Sequence, residues 1–193
     1  MSTDPRLIQI LGFLVEADKL KTILRRTLLT DGSRRENSAE HSWHLTLAAI
    51  TLREYSAEPF DLAKVIRMLI VHDVVEIDAG DTFAFDKSAN LTKDARERAA
   101  AQRIFGLLPD DLGGELRALW QEFEAHATPE SRYAHAMDRI QPFLQNRETQ
   151  GGTWRIYNLT REQILERMDP VRTALPALYP LMLATVDEYF SGK

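Results

Sequence analysis

Residues 61–81 read DLAKVIRMLIVHDVVEIDAGD. Leu62, Val65, Ile66, Leu69 and Ile70 fall at i, i+3, i+4, i+7 and i+8, one face of an α-helix, and Asp61 stands where its carboxylate can cap the first turn. Asp73 continues this apolar stripe and His72 precedes it. An imidazole and a carboxylate buried in such surroundings are costly unless a partner compensates them. A divalent cation is one such partner, and the chain offers matching donors elsewhere. His41 lies in ENSAEHSWH, and Asp138 lies in ESRYAHAMDRIQ.

The segments around these donors also read as helix. Asn37 followed by Glu40 forms a capping-box pattern ahead of His41, with Trp43, Leu45, Leu47 and Ile50 behind it. Tyr133, Met137, Ile140 and Leu144 mark the helix of Asp138, and Leu112, Leu116, Leu119, Trp120 and Phe123 mark another. Further helices are expected over 5–29, 92–107, 160–168 and 171–190, the third of these capped by Thr160 with Gln163. Loops are expected at 31–33, 79–90 and 149–154. No alternating strand pattern of useful length is present. The expected fold is all-α: a single-domain helical bundle over 1–193, with a metal-site core at about 37–140 and C-terminal helices at about 160–190. Pro142 cannot donate to the Asp138 carbonyl, so the helix either kinks beside the site or bends around the core.

Composition narrows the class. A charged fraction of 27% with 44% hydrophobic residues describes an ordinary globular chain. A net charge of −5 argues against a nucleic-acid polymer as partner. With no cysteine, any metal must be held by imidazole and carboxylate. No apolar stretch approaches membrane-spanning length and no secretory leader is visible, so the expected location is the cytoplasm, without a membrane partner. Two imidazoles with two carboxylates suit one divalent ion among Mn, Co, Fe, Ni, Zn and Mg.

The segments ENSAEHSW, HDVVEIDAGDT, LLPDDLGGELRALWQEFE and RYAHAMDRIQPFLQN resemble the HD-domain phosphohydrolases, in the branch of the 5′-deoxynucleotidases. The resemblance covers most of residues 20–148. It implies an HD-type helical bundle, usually a homodimer, with His41, His72, Asp73 and Asp138 holding one divalent metal. It implies hydrolysis of a small nucleotide, a (deoxy)nucleoside 5′-monophosphate, to nucleoside and phosphate. Glu76 falls at the family's catalytic glutamate, Asp81 at an aspartate used near sugar and phosphate, and Arg26 at its phosphate-binding arginine. Arg34 and Arg35 flank the same loop, either closing over the pocket or solvated at the surface. Thr27 stands where better-characterised relatives carry tryptophan, which puts the substrate preference in question. Two other readings are an HD hydrolase of another phosphoester and a metal-dependent nucleotide sensor without turnover. His44 and His135 are expected behind the ligands or at the surface, His126 at the surface, and Trp43, Trp120 and Trp154 in packing. Leu175, Leu178, Leu181 and Leu183 permit a dimer interface or cover the core.

Overall fold

The computed structural model describes residues 4–192; residues 1–3 and Lys193 of the expected domain lie outside the described residues. Helix α1 (Pro5–Asp18) opens behind Asp4, whose carboxylate accepts from the Arg6 amide, with proline in the first turn where no helical bond is lost. The helix expected over 5–29 ends there. Residues Lys19–Thr22 tighten into a 3₁₀ turn, and β1 (Leu24–Leu28) pairs antiparallel with β2 (Arg35–Asn37). Strands this short carry too few alternating positions to stand out, and the apolar residues of Leu20–Leu28 mimic the tail of a helix. The ribbon turns through Asp31-Gly32-Ser33, with Gly32 at φ 71° and the Asp31 carboxylate accepting from the Ser33 amide.

The expected capping box starts α2 (Ser38–Thr51): the Asn37 side chain accepts from the Glu40 amide, and the Glu40 carboxylate accepts from the Asn37 amide. Asp61 caps α3 (Leu62–Val71) as expected. The helix does not continue through the His72-Asp73 pair; turns over 72–75 lead into the short α4 (Glu76–Ala79). Helix α5 (Lys87–Phe105) begins earlier than expected, because Asp86 accepts from the Ser88 and Ala89 amides. It is followed by α6 (Asp110–Ala125) and by α7 (Pro129–Glu148), which runs through Pro142 unbroken. Helices α8 (Gly152–Ile156) and α9 (Arg161–Arg167) follow, the latter with its expected Thr160 cap. The single helix expected over 171–190 is instead α10 (Asp169–Ala174) and α11 (Tyr179–Ser191); Pro176 falls in the break. Among the described residues, no helix is long and apolar enough to cross a membrane.

Two clusters of buried side chains hold these elements. One joins α2, α3 and α7 to the C-terminal helices around Leu45, Leu69, Tyr133, Met137 and Ile164. The other joins α1, α5 and α6 around Val74, Val75, Ile104, Phe105 and Trp120. Leu69 belongs to the first and Val74 to the second, so the intervening His72 and Asp73 lie at their seam.

Gly113 shows how closely the second cluster is packed. A Cβ there would lie 2.3 Å from the Phe105 carbonyl oxygen, whereas one at Gly114 meets nothing within 4 Å. Gly113→Ala is expected to destabilise the fold by about 1–3 kcal/mol, and Gly114→Ala to leave it unchanged or raise its stability by up to about 1 kcal/mol. Urea denaturation of the pair checks the contrast; equal midpoints would show that the α5–α6 corner yields freely.

Candidate metal centre

His41 is fully buried on α2, and its ring orientation is set from behind. The Gln141 amide donates to Glu36 Oε1 at 2.6 Å, so its own oxygen faces His41 Nδ1 at 2.9 Å and accepts a proton from it. Nε2 then points at Asp138 Oδ1, 2.9 Å away, with Asp73 Oδ2 at 3.9 Å. Burial and the Arg25 charge oppose a second proton on His41, but the bonded Asp138 and the nearby Glu36 carboxylate outweigh them and raise its pKa to about 9.

His72 is held differently. Its Nδ1 lies 2.8 Å from the Leu69 carbonyl, which can only accept, so Nδ1 carries the hydrogen. Burial lowers its pKa, leaving Nε2 as a bare lone pair. That buried atom has no hydrogen-bond partner, yet Asp73 Oδ1 lies 3.0 Å away. A lone pair facing a carboxylate oxygen is repulsive unless a cation joins them, so this donor pair fits a metal. One ligand atom each from His41, His72 and Asp73 can be chosen with all three within 4.8 Å of one another. Asp138 adjoins this group through His41. Burial works against its ionisation, but Arg139 and His41 hold its pKa well below the usual carboxylate range.

Arg25 enters the cluster from β1. Its guanidinium lies 2.8 Å from Asp73 Oδ2, 3.7 Å from Asp138 Oδ1 and 3.9 Å from Glu76 Oε1. Glu76, at the start of α4, accepts from the Ser38 hydroxyl at 2.6 Å. Burial, and next the Asp73 charge, push its pKa well above the ordinary value. Burial also raises that of Asp81, against the opposing pull of Arg25.

A cavity opens beside Asp138. Arg25, Arg26, Thr27, Asp81, Arg139 and Arg167 line its polar side, and Phe83, Phe85, Phe143, Trp154, Leu159 and Met168 its apolar side. The structure therefore brings His41, His72, Asp73, Asp138 and Glu76 together, and sets Asp81 and Arg26 on the adjoining wall. It does not bring Arg34 there: Arg34 pairs with both Glu40 oxygens at the surface. Arg35 is likewise exposed. His135 is buried, with Nε2 donating to the Phe123 carbonyl, and His126 lies against its ring from the surface. His44 is half-buried, 3.3 Å from the Gln141 amide nitrogen. Trp120 and Trp154 are packed inside, whereas Trp43 is 66% exposed.

Sequence reasoning passes over Arg25, Glu36, Ser38 and Gln141. Alternation along β1, where Arg25 is half-buried and Arg26 exposed, is the signal that singles out the first. Gln141 lies three residues after Asp138 on α7, one turn further along its face.

Comparison with known proteins agrees with this geometry. The family model described as "HD domain" matches residues 17–179. A crystal structure described as a predicted metal-dependent phosphohydrolase, from Magnetospirillum magnetotacticum, is 50% identical with a TM-score of 0.93, covering 99% of this chain and 97% of its own. The 5′-deoxynucleotidase HDDC2 of Danio rerio is 28% identical over 113 residues, 58% of this chain and 55% of its own length. Its Homo sapiens counterpart is 28% identical over 140 residues, 72% of this chain and 67% of its own length.

Proposed function

This chain belongs to the HD-domain family, and from that premise we propose that it is a metal-dependent phosphohydrolase releasing phosphate from (deoxy)nucleoside 5′-monophosphates. The observation that carries the reading is the unpartnered His72 Nε2 beside Asp73, converging with His41 next to an arginine-lined cavity. The names of the 5′-deoxynucleotidase relatives supply the substrate class.

His41, His72, Asp73 and Asp138 would hold one divalent ion from the series Mn, Co, Fe, Ni, Zn and Mg. When bound, such an ion supplies Lewis acidity toward water and a phosphoryl oxygen. The remaining work falls to the chain. Glu76, whose pKa is raised by burial and whose carboxyl is oriented by Ser38, would hand a proton to the leaving 5′-oxygen. Arg26 offers planar donation to a phosphoryl oxygen. Asp81, on the same wall, is placed to accept from a sugar hydroxyl. The apolar side around Phe83 and Trp154 accommodates a base and excludes water. Phosphate release from a panel of ribo- and deoxyribonucleotides, each with the six metals in turn, tests the reading. Turnover confined to other phosphoesters, or metal binding without any turnover, would replace it.

We also propose that the chain acts as a homodimer. Leu175 is fully buried and so unavailable for contact, but Leu7, Ile8, Leu11, Leu14 and Val15 are 52–73% exposed along one side of α1. A stripe of that length at helical spacing fits a second copy. Light scattering is expected to give about twice 22.1 kDa, and Leu11→Glu with Leu14→Glu to halve it. A mass near 22.1 kDa for the unaltered chain over a wide concentration range would reject the dimer.

A further inference from the structure

Four arginines line the cavity beside the metal centre, and they are not equivalent. Arg25 is committed to Asp73, with Asp138 and Glu76 close by. Arg139 is committed to Asp138 Oδ2. Arg26 and Arg167 have no carboxylate within ion-pair distance among the described residues. We propose that Arg167, supplied by α9 from outside the metal-ligating helices, is an anion-binding residue that joins Arg26 in receiving the phosphoryl group of the substrate. The ligand class rests on the phosphohydrolase reading.

Several independent features point the same way. Arg167 ends α9 one turn after Ile164, a buried residue that anchors this helix in the main core and also lines the cavity. Helix α9 is thus fixed against the site with its last side chain at the opening. Arg167 also lines the adjoining outer depression, together with Arg139, Gln163 and Glu166, and is exposed, so it stands at the boundary between cavity and solvent. A cation at that boundary can meet an incoming phosphate and remain in contact once the phosphate is seated. Arg26, Asp81 and Arg167 line the same cavity. Arg167 is exposed on the outer side, while partial desolvation, and then the Arg139 charge, lower its pKa. An anion between Arg26 and Arg167 would supply the partner that neither guanidinium finds within ion-pair distance among the described residues.

Metal-loaded protein titrated with inorganic phosphate tests the inference directly, with Arg167→Gln and Arg167→Lys compared against the unaltered chain. Arg167→Gln is expected to weaken phosphate binding roughly tenfold or more, with metal content unchanged and Arg167→Lys intermediate. Against a hydrolysed nucleotide the same loss should appear in KM, with kcat changed far less. Phosphate affinity in Arg167→Gln equal to that of the unaltered protein would overturn the proposal. So would loss of metal in both variants, which would make the residue structural. If the unaltered chain hydrolyses no nucleotide yet binds phosphate through Arg167, the anion site stands and the substrate reading falls. Nucleotide hydrolysis with an unchanged KM in Arg167→Gln would do the opposite, removing the anion site and leaving the substrate reading in place.

Discussion

His72→Ala is expected to strip the protein of most of its bound metal and to abolish phosphate release in the same preparation. The imidazole is 3% exposed, and its Nδ1–H is already spent on the Leu69 carbonyl, so Nε2 has no role in the fold except toward a cation. Removing it takes one of three converging ligand atoms and leaves His41 and Asp73, with Asp138 beside them, as the remaining donors. The groups behind the ligands cannot compensate, because Gln141 and Glu36 orient the His41 ring rather than that of His72. Stability must be separated from ligation, since truncating a buried ring also leaves a cavity. The discriminating measurement is the metal-induced shift in Tm. The unaltered chain should gain about 2.7 kcal/mol when free metal is a hundredfold above Kd, whereas the variant should gain little. Elemental analysis showing undiminished metal in His72→Ala would defeat the ligand assignment.

The helices bearing His41 and Asp138, and the one that ends just before His72, are legible in the sequence because each ligand rides on or directly follows a long apolar repeat, and a donor interrupting such a repeat is conspicuous. The capping boxes at Asn37 and Thr160 are legible for a similar reason: the bonds that define them are local in sequence. Arg25 is not. Its importance comes from Asp73, 48 residues away, and from the still more distant Asp138, and the alternation that sets it inward of Arg26 spans too few positions to stand out before the contacts are seen. Gln141 escapes notice because a glutamine reveals nothing until its amide is seen bridging Glu36 and His41. Arg34 shows the opposite failure. Its position beside the ribbon suggests a pocket, but Glu40, held at the start of α2 by the capping box, accepts from both terminal guanidinium nitrogens. The break between α10 and α11 is written in Pro176, which the apolar periodicity on either side conceals.

Glu76→Gln is expected to keep the metal and lose roughly 100-fold or more in kcat. The chain turns after Val71 instead of running on as helix, and the Glu76 amide donates to the Asp73 carbonyl at 2.9 Å. That turn brings the Glu76 side chain to the ligand cluster by a route other than a shared helix face. Glutamine preserves shape, and its amide oxygen can still accept from the Ser38 hydroxyl, so packing and orientation should survive. What disappears is the titratable group, whose pKa burial and the Asp73 charge raise. If the role is proton transfer, metal content and KM should stay near those of the unaltered enzyme while turnover collapses. Arg26→Gln should fail differently: Arg26 lines the cavity without pairing to a ligand residue, so the larger change is expected in KM. The two phenotypes separate proton handling from phosphate engagement in one assay. Near-normal turnover by Glu76→Gln on the best nucleotide would return this carboxyl to a purely structural place beside Ser38 and Arg25.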